Sequence, residues 1–261
     1  MLTIGIQLYT LKNLINTNPK LILKKLADLG FKEIETYDFS KGTLWGLTPE
    51  NLLKELKKNK LKSSFGHYGL ESMLSGNMDE IKEVIETAKI LDQKYIVIPS
   101  IPEHLRKTNS AYVALADIMN EAGEICKNFG LNLAYHNHSF EFKTLENSDR
   151  CPYEILLQHT DSKLVTFEID IYWAYKSGIS PVGLFENYPG RFELWHIKDM
   201  NKSYQELNTE IGNGSINFKE LLLYKEMTGV KHFILEQENF EIPPYESLRK
   251  SLNYISKNLA I

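Results

Sequence analysis

Four short polar runs each close a stretch of strand-forming residues: His136-Asn137-His138, Glu168-Ile169-Asp170, His196-Ile197-Lys198-Asp199 and Leu235-Glu236-Gln237-Glu238. Side chains of a strand alternate between its faces, so His136 and His138, Glu168 and Asp170, His196 and Lys198, and Glu236 and Glu238 fall in pairs on one side. Imidazoles and carboxylates gathered at one end of successive strands form the donor set of a divalent cation. Two carboxylates side by side repel unless a cation, a proton or a basic residue stands between them. A cation bound to a carbonyl and its neighbouring hydroxyl acidifies the intervening C–H and holds the developing enediolate, and a nearby carboxylate or imidazole takes the proton. Returning the proton elsewhere isomerises or epimerises the substrate. Loss of a β-substituent eliminates.

These runs must be positioned by a repeating scaffold, and the chain carries one. Strand patterns fall at 3–8, 33–36, 62–66, 95–99, 132–136, 164–169, 192–196 and 232–236, separated by helical spacing at 19–29, 49–58, 78–91 and 112–129. In the third of these, Ile81, Val84, Ile85, Ala88 and Leu91 form one stripe opposite a charged, solvated face. Asn18 before Pro19 and Thr48 before Pro49 mark helix starts, and Gly30 and Gly130 mark helix ends. Eight strands alternating with helices predict an α/β fold, a (β/α)8 TIM barrel filled by one domain over residues 1–261. A doubly wound open sheet is the rival, but no Gly-rich phosphate loop follows an early strand.

Composition narrows the function. The 261 residues are 43% hydrophobic and 25% charged, with formal charge −4 and pI near 6.0, which gives no overall footprint for nucleic acid or an anionic membrane. Cys126 and Cys151 are the only cysteines, so neither a disulfide framework nor a cysteine-based zinc site is expected. With no signal-peptide pattern and no apolar run of membrane length, the expected setting is the cytoplasm.

Taken in order, the motifs resemble the xylose isomerase-like TIM barrels, the sugar (phosphate) isomerase/epimerase superfamily. The resemblance is carried by residues 5–10 (GIQLYT), 30–35 (GFKEIE), 135–142 (YHNHSFEF), 168–173 (EIDIYW), 196–199 (HIKD), 211–218 (IGNGSINF) and 234–238 (ILEQE). It implies one divalent metal ion held by His136, Asp170, His196 and Glu236, with Mn, Co, Zn or Fe favoured over Mg by the mixed nitrogen and oxygen donors. His136 departs from the family, whose fifth strand ends in a carboxylate that pairs with the strand-eight glutamate in proton transfer. Glu141, Glu168 or His138 could then supply the missing base, alongside Glu236. Glu168 could instead be the fourth ligand, or pair with a lysine inside the barrel.

Lys198 either stabilises an oxyanion or neutralises an acidic barrel mouth. His67 and Glu35 are candidates for substrate hydroxyls, with a loop histidine and a local pair as the plain alternatives. Tyr9, Trp45 and Trp173 are candidate sugar-stacking walls or core residues. The leading expectation is a metal-dependent isomerase or epimerase acting on a sugar or sugar derivative. The alternatives are a lyase, dehydratase or keto-glycoside-cleaving enzyme, an endonuclease IV-like repair enzyme, or a non-catalytic sugar-binding barrel. No nucleic-acid or membrane partner is expected, and a homo-oligomer is left open.

Overall fold

The computed structural model describes residues 4–146 and 148–259. Eight parallel strands close into a barrel: β1 (Ile4–Gln7), β2 (Glu33–Thr36), β3 (Lys62–His67), β4 (Tyr95–Ile98), β5 (Asn132–His136), β6 (Val165–Asp170), β7 (Leu194–Ile197) and β8 (His232–Leu235). Strand β1 pairs with both β2 and β8, which completes the (β/α)8 TIM barrel in a single domain. The first expected strand included Thr3, which lies outside the described residues. The seventh begins two residues later than its apolar pattern suggests. Before it, Gly190 and Phe192 donate to the carbonyls of Met227 and Thr228 rather than joining the ladder.

Around the barrel run helices that include α1 (Pro19–Leu29), α2 (Pro49–Lys58), α3 (Asp79–Ile90) and α4 (Asn109–Asn128). Asn18 and Thr48 accept from the amides of Leu21 and Asn51, each ahead of a first-turn proline, as their order implies. Helix α4 starts three residues before its apolar period becomes legible, because Thr108 caps the amide of Ala111. Helix α1 stops at Gly30, whose φ of 112° lets its amide turn back onto Ala27 and Leu26. No helix among the described residues is long and apolar enough to cross a membrane.

Outward strand residues such as Phe167, Ile169, Trp195 and Ile197 join the helices in the main apolar core. A separate cluster of Phe65, Tyr95, Val97, Ala134, Leu194 and Ile234 fills the barrel interior. The inward residues of the strand ends above it are polar and buried: Gln7, Glu35, His136, Glu168, Asp170, His196 and Glu236. Barrel strands thus carry an apolar plug below and a polar tier at their C-terminal ends, where chemistry is sited in this architecture.

Candidate metal and proton-transfer centre

Strand register sets the polar tier. His136 lies opposite Glu168 across β5 and β6, and Asp170 lies opposite His196 across β6 and β7. Asn137 points the other way and ties the same two strands, donating to the Asp170 carbonyl while its oxygen accepts from the Asp170 amide at 3.0 Å.

Glu168 sits beneath the site and gathers imidazoles. Its Oε2 accepts from His67 Nε2 at 2.6 Å and His136 Nδ1 at 3.0 Å, and His196 Nε2 stands 3.2 Å away. Burial opposes its charge, but His196 and His67 outweigh burial and hold this carboxyl well below its ordinary range. Its partners are therefore histidines, not a lysine. Glu35 lies beside it, accepting from Gln7 Nε2 at 2.8 Å and from His196 Nε2 at 2.6 Å. Burial, then the charge of Glu168, pushes Glu35 up to about 7.

The two central imidazoles are therefore oriented from behind. His136 gives Nδ1 to Glu168, which leaves Nε2 3.9 Å from Asp170 Oδ2. Burial holds His136 well below its ordinary value, so the ring is neutral and Nε2 carries a lone pair. Asp170 Oδ2 accepts no hydrogen bond, although Lys198 Nζ is 3.0 Å away. A neutral ring nitrogen and a carboxylate oxygen paired only with Lys198 thus face each other in a buried site. His196 uses Nε2 on the carboxylates behind it and places Nδ1 2.9 Å from Glu236 Oε2, where a proton or a cation must lie. Asp170, His196 and Glu236 offer ligand atoms within 4.8 Å of one another, as do His67, His136, Glu168 and His196. The donor set fits a divalent ion, and the carboxylates on the far ring nitrogens are the support that metal-binding histidines ordinarily receive.

Lys198 closes the acidic side, 2.9 Å from Glu236 and 3.0 Å from Glu238. Burial opposes its charge, but Asp170 and Glu236 prevail and hold the ammonium well above its ordinary value. His138 lines the same cavity and packs against Trp173, with ring centroids 5.7 Å apart. Burial first, then the Lys198 charge, pushes it down to about 4. Tyr9, His67, His136, Glu236 and Glu238 also line this cavity of about 710 Å³.

Most of the candidates named from sequence meet here, but not all line the cavity. Glu35, expected at a substrate hydroxyl, and Glu168 are buried against the histidines, and Glu141 and Trp45 lie further out. Glu141 is turned inward by the short turn at Phe140–Phe142, accepting from Tyr135 Oη at 2.6 Å and the His138 amide at 2.9 Å. It holds the His138 loop and is kept from the substrate side. Trp45 is buried behind Tyr37, with ring centroids 5.7 Å apart. Asp199 receives the amides of Gly212, Gly214 and Ile216, and a Cβ on Gly214 would lie 2.2 Å from its Oδ1. The Gly212-Asn213-Gly214 turn is therefore shaped by a carboxylate and does not cradle a phosphate. Gln7, Lys12, Tyr37 and Asp38 were missed. Only Gln7 left a sequence signal, as a polar residue ending the first strand in phase with Gly5.

Residues 23–258 match the family described as xylose isomerase-like TIM barrel. Among relatives, an inosose dehydratase of Geobacillus kaustophilus strain HTA426 is 28% identical over 205 residues, covering 71% of this chain and 63% of the relative. The match thus spans less than two thirds of that protein's length. An inosose dehydratase of Lactiplantibacillus plantarum is 24% identical across 94% of this chain and 90% of its own. A solved sugar phosphate isomerase/epimerase from Parabacteroides distasonis ATCC 8503 superposes with a TM-score of 0.86 at 25% identity, covering 99% of this chain and 94% of that one. With its closed barrel and a family match over most of its length, the chain belongs to the xylose isomerase-like TIM barrel family.

Proposed function

We propose that this chain is a divalent-metal-dependent lyase that removes a proton beside the carbonyl of a polyhydroxylated ketone and expels an oxygen substituent one carbon further on. The carrying observation is the pair of imidazoles, His136 and His196, each fixed by a carboxylate on one ring nitrogen while the other faces Asp170 or Glu236. His136, Asp170, His196 and Glu236 would hold the ion, with Glu168 and Glu35 as the supports behind them. When bound, such an ion supplies a Lewis acid to the carbonyl oxygen.

The remaining residues supply the proton traffic. His138, neutral at pH 7, is free to accept the α-proton, and its basicity rises as negative charge grows on the substrate beside it. Lys198 stays an ammonium and stabilises that charge from a fixed, dry position. The electron pair left on carbon forms the C=C bond, the C–O bond breaks, and the leaving oxygen departs with the proton that His138 returns. Glu141 acts by holding the His138 loop. His136 in place of a carboxylate leaves no symmetric pair of free glutamates across the cavity. That asymmetry favours elimination, as does similarity to proteins named inosose dehydratase.

An isomerase or epimerase is the second reading, supported by the solved relative of that name. Incubation with an inosose in D2O, followed by NMR with Mn or Co supplied, separates the two. Elimination gives a new olefinic signal. Deuterium entering the α-carbon without loss of water selects the second reading, and absence of both contradicts the metal-assisted C–H chemistry.

A further inference from the structure

The proton-transfer centre occupies only one side of the cavity. The other side is built by the ends of β1 and β2 and carries Tyr9, Lys12, Tyr37, Asp38 and Phe39. Tyr9 is 38% exposed, unusual for an aromatic at the end of a barrel strand. Its ring meets Tyr37 edge-on with centroids 5.3 Å apart, and Tyr37 is backed in turn by buried Trp45. Lys12 Nζ lies 4.0 Å from the Tyr9 ring centroid. The wall is joined to the centre through Glu238, whose two oxygens reach Lys12 at 3.4 Å and Lys198 at 3.0 Å.

Tight turns hold this wall in place. Asp38 and Trp45 flank the small ladder of Phe39–Ser40 with Thr43–Leu44, and both adopt left-handed φ values, 63° and 51°. Trp45 and Gly46 are the two left-handed residues of a tight turn closed by paired Leu44–Leu47 backbone hydrogen bonds. The turn fixes Trp45 behind Tyr37, and Asp38 lies on the cavity rim.

We infer that the Tyr9–Tyr37 wall, with Lys12 and Asp38, is a second subsite that takes a ring joined through oxygen to the reacting ring, so that the substrate is a two-ring glycoside. The inference rests on the elimination reading for the fate of that ring, which becomes the leaving group. The α-proton goes to His138, the electron pair forms C=C, the glycosidic C–O bond breaks, and the second ring leaves as an alcohol carrying the returned proton. The carbonyl is already present in the substrate, so no oxidant is required.

Binding of unreactive analogues tests the subsite without depending on the chemistry. Methyl β-D-glucopyranoside, phenyl β-D-glucopyranoside and cellobiose are titrated against the Mn-loaded protein by ligand-detected NMR. The expected result is a preference of about tenfold for at least one two-ring ligand over the methyl glycoside, the size of one good aromatic contact. The better of phenyl glucoside and cellobiose identifies an aromatic or a sugar leaving ring. Tyr9→Ala should abolish the preference and Lys12→Ala, at a half-buried position, should reduce it, the second variant guarding against a folding defect in the first. Equal binding of all three ligands, no binding at millimolar concentration, or a preference that survives both substitutions would overturn the subsite. An Asp170→Asn protein keeps the preference even if it loses the ion. A two-ring preference without elimination therefore discards the reaction and keeps the subsite.

Discussion

The two ends of the barrel interior treat their polar groups in opposite ways. At the N-terminal end, Glu33 accepts from Ser64 Oγ at 2.6 Å and pairs with His232 at 3.2 Å, while Glu193 receives Tyr95 Oη and Lys231 Nζ, each at 2.7 Å. Phe65, Tyr95 and Ile234 lie directly above, and the end reads as a closed plug. At the C-terminal end, Glu35 Oε1, Glu168 Oε1 and His138 Nδ1 are buried without a hydrogen-bond partner, and Asp170 Oδ2 meets only the Lys198 ammonium. A fold selected for stability alone would not keep several such atoms together, because each costs about 1–3 kcal/mol when left unpaired. The contrast marks the plug as structure and the mouth as the candidate site.

Substitutions at the two ends should separate accordingly. Asp170→Ala should have the largest effect, abolishing both metal retention and turnover while the fold survives, as read by elemental analysis and circular dichroism. Lys198→Met should retain metal but lower kcat by about 10²–10³-fold, the loss expected when a fixed charge aimed at a developing oxyanion is removed. Ile234→Ala, in the plug, should lower unfolding free energy by about 2–5 kcal/mol in denaturant titration and leave metal stoichiometry unchanged. Glu168→Gln should weaken metal affinity about 10–100-fold without removing a ligand, since it alters only the support behind His136 and His196.

The smallest effect belongs to Glu33. Burial opposes its charge, but bonds from His232 and Ser64 prevail and place its folded pKa below the ordinary 4.5. Its contribution is therefore full above the unfolded value and disappears as pH falls through the lower folded value. Melting temperatures of wild type and Glu33→Gln should differ near neutrality and converge below about pH 4. A gap that widens with acidification would contradict the sign.

Much of the fold was legible because strand-ending polar runs and helix punctuation repeat with the β/α unit. Pro19 and Pro49 start helices where their capping residues indicate, and Asp170, His196 and Glu236 converge from three consecutive strands, with His136 3.9 Å from Asp170 on the strand before. Alternation along β6 correctly placed Glu168 and Asp170 on one side, but it could not say that Glu168 lies one layer deeper and is enclosed by three imidazoles. The direction of Glu141 was not legible, because it depends on a single tight turn folding back onto Tyr135. Of the Tyr9–Tyr37 wall, Tyr9 was named from the sequence, but Tyr37 and Lys12 were illegible for a different reason. Lys12 meets Glu238 across 226 residues of sequence, a contact created only when β1 closes the barrel against β8.

Metal content of the purified protein, measured beside His136→Ala and Asp170→Ala, tests the central claim most directly. Close to one equivalent of a divalent transition metal is expected in the wild type, with its loss in both variants. A wild-type protein that retains no metal after Mn, Co or Zn is supplied and dialysed away would contradict that claim.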